Sequence, residues 1–302
     1  MQNKQLIPNV LKAGSTVAII ATAKLVNNDD LQYSKTLLEN RGYKVLLSPY
    51  LYKQNYQFAG SDTERAAGLQ WAINHKDIDA IFCFRGGYGT YKMIDKVNFS
   101  SLKTNPKWII GYSDITSLHL YLYKHYGLVS LHASMPVNFK KNTAGALDSI
   151  FFALENYSLK YNISSHPLNL MGNAEGILLG GNLSLIYSMT GSKDLPDFEN
   201  SILFIEDLDE YLYHIDRMML NLEKSGILKK ISALIVGGMT DMKDNEIPFG
   251  ETGEEIIHGY FSKYNKPLCF NFPAGHINDN RALMHGKYCK LQINNNFIVL
   301  IL

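Results

Sequence analysis

Through the first half of the chain, short apolar runs alternate with stretches whose apolar residues recur at helical spacing. The runs Thr16–Ala21, Lys44–Ser48, Ala80–Phe84, Lys107–Gly111 and Leu128–Leu131 are bounded by turn-forming residues, the pattern of strands buried on both faces. Helical patterns lie between them, the clearest opening at Ser61. There Ser61 and Glu64 form a capping box ahead of Ala66, Leu69 and Ile73. Such alternation predicts a parallel sheet with helices on both faces, binding its ligands at the carboxyl ends of the strands. Arg85-Gly86-Gly87 and Ser113 each follow directly on a predicted strand, so both belong at that edge.

The rhythm breaks between Tyr157 and Gly172, where SSHP and NLMGN collect polar and turn-forming residues. This predicts an inter-domain linker over 158–172, between an N-terminal α/β domain (1–157) and a C-terminal domain (173–302). The second half carries its own apolar runs at Gly176–Leu179, Ile202–Ile205, Ala233–Val236, Leu268–Phe272, Tyr288–Ile293 and Phe297–Leu302. The last two flank Asn294-Asn295-Asn296 and predict a terminal hairpin. Asp207–Lys224 reads as an amphipathic helix with Leu208, Leu212, Ile215, Met219 and Leu222 on one stripe. The fold class is therefore α/β, a parallel sheet followed by a smaller, β-rich mixed domain.

Composition narrows the function. A chain of 302 residues, 46% hydrophobic and 19% charged, describes a globular protein large enough for two domains. The net charge is +1 and no block of like charge occurs, so neither nucleic acid nor an anionic membrane is an expected partner. The opening residues MQNKQLIPNV hold no apolar leader and no run reaches membrane-spanning length, which makes a cytoplasmic location the expectation. Cys83, Cys269 and Cys289 sit among apolar neighbours without CxxC spacing and read as buried thiols, not as disulfides or a metal site.

The segment KWIIGYSDITSLHLYLYKHY (107–126) is a strand, a sharp turn and a helix with Ser113 at the apex. A serine so placed can present its hydroxyl beside helix-terminal N–H groups that would hold a developing negative charge. It can equally be a plain helix cap. In AIFCFRGGYGT (80–90), Gly86-Gly87 suits an oxyanion or phosphate loop, or a structural turn. The stretch is not GxGxxG, so a dinucleotide site is not supported.

Serine chemistry needs a base and a group to orient it. His119 and His125 lie in the helix after Ser113 and read as packing or surface residues, and His214 pairs with Glu210 one turn away. His132 and His276 both follow strands, and pattern alone leaves them level. Of the acids Glu206, Asp207, Asp209 and Glu210, Glu206 stands at a strand end while the others fall in a helix's first turn. Ile115 replaces the second glycine of the G-x-S-x-G elbow, which argues against an ordinary lipase or esterase.

Taken in order, FAGSDTERAAGL (58–69), FRGGYGT (84–90), GYSD (111–114), GILLGGNLSLI (176–186), IEDLDEYLYHIDRMML (205–220) and FPAGHINDN (272–280) resemble the LD-carboxypeptidases of serine peptidase family S66. The resemblance spans nearly the whole chain. It implies a flavodoxin-like or class I amidotransferase-like first domain, with Ser113 as nucleophile, Glu206 as orienting acid and His276 as base. It further implies an oxyanion hole from the Gly86-Gly87 turn and the Asp114 N–H, without metal or cofactor. The implied substrate is a peptidoglycan tetrapeptide, cut before its terminal D-alanine in the cytoplasm by a homodimer. Arg85 is the nearest cation for the substrate carboxylate, or a support for its own loop. Arg217 reads as half of a structural ion pair. Two rival readings stand beside this one: a related hydrolase acting on a peptide–nucleotide antibiotic, and a non-catalytic module holding an anion at Gly86-Gly87.

Overall fold

The computed structural model describes residues 5–302. The chain opens with the parallel strands β1 (Thr16–Ile20), β2 (Lys44–Leu47), β3 (Ile78–Cys83), β4 (Trp108–Gly111) and β5 (Ser130–His132). Each lies within two residues of the apolar run that predicted it. Their order across the sheet is 2-1-3-4-5, the doubly wound arrangement whose ligand crevice lies where the strand order reverses, between β1 and β3. The capping box at Ser61 and Glu64 opens the helix Asp62–Asn74 as expected.

The second half contributes β6 (Lys160–Ser164), β7 (Gly172–Asn182), β8 (Ile202–Leu208), β9 (Ala233–Thr240), β10 (Leu268–Cys269), β11 (Leu283–His285), β12 (Tyr288–Ile293) and β13 (Phe297–Ile301). All but β11 form a second sheet in the order β10-β9-β8-β7-β12-β13-β6. Strands β7 to β10 are parallel, whereas β7, β12, β13 and β6 are antiparallel. The β12–β13 hairpin is the one expected around Asn294. The three cysteines are buried and unpaired.

Part of the segment read as a linker is a strand: β6 is the edge of the second sheet, paired to β13. Its residues alternate, Tyr161 turning inward to donate its hydroxyl to the Ala282 carbonyl at 2.6 Å, so no continuous apolar run marks it. The short β11 crosses back to pair antiparallel with β5, so the second half completes the first sheet. One apolar cluster accordingly runs through both sheets, from Phe82, Ile110 and Leu131 to Phe204, Ile235 and Leu283. The amphipathic helix begins at Leu212 instead of Asp207, because β8 continues to Leu208. Leu208 is therefore off the helical stripe and exposed, while Ile215, Met219 and Leu222 are buried as expected.

Candidate active site

Ser113 sits where β4 gives way to the helix Thr116–Tyr126. A single 3-10 turn, Ser113–Ile115, joins them, and Ser113 is held at φ +62°. That left-handed backbone costs a residue with a side chain on the order of 1–3 kcal/mol and clusters at functional sites. A capping residue needs extended backbone. Neither helix start here carries a side-chain cap bond, so Ser113 does not cap the helix. Its hydroxyl has no hydrogen bond among the described residues. Ile115, buried, fits where an ordinary elbow has glycine because it packs over Gly111, whose added Cβ would fall 2.8 Å from Ile115 Cγ1.

The turn after β3 passes directly over Ser113. A Cβ on Gly86 would lie 3.2 Å from Ser113 Cβ, 3.3 Å from its Oγ and 3.4 Å from the Asp114 nitrogen. The missing side chain keeps that space open. Gly87, at φ +114°, lies against the stem of Lys24, with Cδ only 2.7 Å from an added Cβ. Arg65, buried beneath these loops, donates to the Thr22 carbonyl (3.0 Å), the Gly60 carbonyl (2.6 Å) and Asp62 (2.5 Å), tying the loop after β1 to the helix Asp62–Asn74. The Asp114 carboxylate accepts the Thr90 N–H at 2.8 Å and fixes the far end of the glycine turn. Burial raises the pKa of that carboxyl against the pull of its bonds to Thr90 and Gly89.

Glu206 and His276 arrive from the second sheet. The register of β8 against β9 shifts between Ile205 and Asp207, leaving Glu206 without a partner on β9. Such irregularities re-aim side chains. Glu206 is fully buried, and its Oε2 lies 2.6 Å from His276 Nδ1. A carboxylate only accepts, so Nδ1 carries the proton and Nε2 keeps a lone pair. Burial works against a charged imidazole, but the charge and hydrogen bond of Glu206, helped by Asp207, prevail and raise the His276 pKa above the ordinary 6.5. The Tyr112 ring packs on the His276 ring at 4.8 Å, and Thr240 Oγ1 donates to the His276 carbonyl at 3.0 Å.

A polar thread joins the two halves of this arrangement. The Asn182 N–H donates to Thr116 Oγ1 at 3.0 Å, and Asn182 Nδ2 donates to Asp207 Oδ1 at 2.8 Å. Asp207 also accepts the Ser184 N–H at 2.8 Å. Burial and the neighbouring Glu206 push its pKa up to about 7. The helix that follows Ser113 is thus linked through Asn182 to the strand that carries Glu206.

Ser113 and His276 line one cavity of about 390 Å³ at the switch point, together with Lys24, Arg85, Gly86, Gly87, Tyr112, Asn138, Asp209 and Glu210. A larger cavity of about 750 Å³ lies over β7, β12 and β13. It holds no histidine, so size alone does not mark the site. His132 does not reach this cavity, being buried edge-on against Tyr112 (5.9 Å) and Phe204 (5.0 Å). Arg85 lines the cavity, and its Nη1 donates to the Leu25 carbonyl of the loop after β1 at 3.3 Å. Arg217 forms no ion pair among the described residues, and its guanidinium instead faces the Tyr213 ring at 5.2 Å. His214 pairs with Glu210 at 2.5 Å as expected. Among the described residues, no three histidine, cysteine or carboxylate side chains converge as a metal site.

Lys24 and the pair Asp209 and Glu210 are cavity residues that sequence reasoning missed or set aside. Lys24 was findable, since it follows the strand on the other side of the order reversal. Asp209 was less so: its own φ of +61° carries the chain sharply away from β8.

The chain matches the LD-carboxypeptidase N-terminal domain over residues 17–133 and the LD-carboxypeptidase C-terminal domain over 175–291. It belongs to the LD-carboxypeptidase family. The protein is accordingly a hydrolase of the carboxypeptidase type. A probable murein peptide carboxypeptidase of Bacillus subtilis (strain 168) is 31% identical, the match covering 92% of this chain and 89% of that one. The crystal structure of a muramoyltetrapeptide carboxypeptidase from Oxalobacter formigenes superposes with a TM-score of 0.88 at 31% identity, covering 95% and 98% of the two chains. The microcin C7 self-immunity protein MccF, solved with aspartyl sulfamoyl adenosine, shares the fold with a TM-score of 0.88 at 20% identity, over 98% of each chain.

In this LD-carboxypeptidase, Gly275 is the residue on which the His276–Glu206 contact turns. It sits at φ +109°, and an added Cβ would lie 2.7 Å from Glu206 Cβ and 2.8 Å from Oε2. Its N–H donates to buried Asn280 Oδ1 at 2.8 Å. Gly275→Ala should displace the carboxylate or the imidazole by a sizeable fraction of an ångström. Turnover is expected to fall about 100-fold, with a stability cost on the order of 1–3 kcal/mol from the left-handed backbone. Steady-state kinetics beside thermal unfolding checks both; unchanged turnover would show that the contact does not matter to catalysis.

Proposed function

We propose that this protein is a serine LD-carboxypeptidase that removes the terminal D-alanine from peptidoglycan tetrapeptides, cutting after a diamino acid, lysine or diaminopimelate. The observation that carries the reading is the 2.6 Å His276–Glu206 bond beside a cavity that also holds a serine in left-handed backbone. His276 Nε2 takes the Ser113 proton as Oγ bonds to the scissile carbonyl carbon. The backbone amides of Asp114 and the Gly86-Gly87 turn serve the oxyanion. The imidazolium, steadied by Glu206, then protonates the leaving nitrogen as the C–N bond breaks. Water hydrolyses the acyl-enzyme by the same steps in reverse order. The Ser113–His276 hydrogen bond forms as substrate fills the cavity, since such bonds are often open without ligand.

The cavity's charge supports this substrate. Lys24 and Arg85, from the loops after β1 and β3, suit a terminal carboxylate, while Asp209 and Glu210, from the end of β8, could take a side-chain ammonium beside their own partners Lys243 and His214. Aspartyl sulfamoyl adenosine, the ligand in the MccF structure, would bring an acidic side chain to those same carboxylates. The reading further places the enzyme in cell-wall recycling in the cytoplasm, as a homodimer. Among the described residues, no helix is long and apolar enough to cross a membrane.

The test is mass spectrometry of defined peptides after incubation. D-Alanine should leave tetrapeptides ending in L-lysyl- or diaminopimelyl-D-alanine, with little turnover of an L-alanine epimer or an aspartyl sulfamoyl adenosine. Preference for the nucleotide would select the antibiotic-inactivating rival. A serine-directed fluorophosphonate that leaves Ser113 unlabelled would select the non-catalytic module.

A further inference from the structure

Three histidines are buried together behind the turn that carries Ser113. His119 lies on the helix Thr116–Tyr126, His132 ends β5, and His285 ends β11, the strand lent by the second half of the chain. The His119 and His285 rings stack at 5.6 Å, and His132 stands edge-on to Tyr112, the residue before Ser113. Burial holds all three below the ordinary histidine pKa, His119 at about 4, so they are neutral at physiological pH. Both ring nitrogens of His132 and His285, His119 Nδ1 and Ser130 Oγ find no partner among the described residues. Buried polar atoms are rarely left so, and the proposed reaction uses none of them.

One bond gives the cluster a purpose. His119 Nε2 lies 2.9 Å from the Gly111 carbonyl, at the last residue of β4. A carbonyl only accepts, so Nε2 carries the proton. The Ala133 N–H donates to the same oxygen at 3.1 Å. Two donors therefore pin the peptide unit between Gly111 and Tyr112, one residue upstream of the strained Ser113. Downstream, Asp114 is pinned by the Thr90 N–H, and Ser117 Oγ donates to the Asp114 carbonyl at 2.8 Å. Strained backbone persists only where its surroundings over-determine it.

We propose that His119 is a positioning residue for the nucleophile: its Nε2–H clamps the Gly111 carbonyl and holds Ser113 in its left-handed conformation. His132 and His285 form the wall that keeps the imidazole in place, His285 stacking on its ring. Neither histidine meets the substrate. The inference rests on Ser113 being the nucleophile.

His119→Gln and His119→Asn test it in the full-length protein. A glutamine amide can reach the position of Nε2, whereas an asparagine amide is too short to reach the Gly111 carbonyl. The readouts are kcat and KM on a D-alanine-terminated tetrapeptide, the rate of Ser113 labelling by a fluorophosphonate, and thermal unfolding. His119→Asn should lose about 10- to 100-fold in kcat and in labelling, the cost of a misplaced reacting group, with KM nearly unchanged. His119→Gln should recover most of both. Asparagine and glutamine variants that label equally fast, or that lose rate only in step with lost folded protein, overturn the clamp. A wild-type protein that the probe does not label at Ser113 overturns the nucleophile reading itself, and is thereby told apart from failure of the clamp alone. If His119→Asn does not fold, His119→Gln decides: labelling within about threefold of wild type supports the clamp, and a tenfold loss in a folded glutamine variant overturns it.

Discussion

Ser113→Ala is expected to abolish D-alanine release, lowering turnover by about 10⁴- to 10⁶-fold by analogy with other serine triads. Its stability should barely change, because the hydroxyl makes no hydrogen bond among the described residues and alanine suffers the same positive φ. Ser113→Gly separates catalysis from strain. Glycine accepts φ +62° without penalty, so this variant should be equally inactive yet more stable, by roughly 1 kcal/mol from relieved left-handed backbone. An inactive but stabilised protein marks a residue kept for chemistry against the preference of the fold. Near wild-type turnover in Ser113→Ala would remove the nucleophile assignment. A glycine variant less stable than alanine would show that the surroundings relieve the strain in some other way.

That strain explains what could and could not be read from the chain. The first sheet was legible because its strands are buried on both faces and appear as unbroken apolar runs between turn residues. Ser113 was visible as the apex of a strand–turn–helix, but its φ was not, and φ is what rules out the helix cap. Most strands of the second half were legible as apolar runs too, but two that tie it together are short or polar. Lys160–Ser164 alternates along an edge, and Leu283–His285 is a strand of three residues that belongs to the other half's sheet. The apolar pattern of β8 stops at Ile205, where the functional part begins. Backbone pairing with β7 and β9 extends the strand through Glu206 and Asp207, and each carboxylate finds partners brought from afar, His276 for one and Asn182 with Ser184 for the other. Local propensity cannot register a bond across 70 positions of sequence. The six motifs of the family resemblance supplied what periodicity could not, by naming Glu206 and His276 together. Lys24 escaped both routes, although its place after β1, beside the reversal of strand order, was available from topology alone.

The contact between Glu206 and His276 makes the second large prediction. Glu206→Gln should lower turnover by roughly 10⁴-fold, the scale seen when an orienting carboxylate of a serine triad becomes an amide. Both placements of the new side chain fail for stated reasons. With its NH₂ toward Nδ1, the amide donates, the imidazole must accept there, and the proton moves to Nε2, where no base remains. With its oxygen toward Nδ1, the tautomer survives, but the NH₂ occupies the position of Oε1, which is buried without a partner, and no charge steadies the imidazolium. The pH profile adds a sign. His276 acts as a base only when neutral, so activity fades as pH falls through its pKa. Glu206 raises that pKa above 6.5, placing the acid limb of the wild type above the position of an ordinary histidine. Removing the charge leaves burial, which opposes the imidazolium, so the limb of kcat/KM in Glu206→Gln should move to lower pH while the plateau falls. Glu206→Asp keeps the charge but is shorter by one methylene, and should hold a high acid limb with an intermediate plateau. If the glutamine variant kept both the plateau and the limb of the wild type, Glu206 would be a buried structural acid, and the search for the group that orients His276 would pass to its neighbour Asp207.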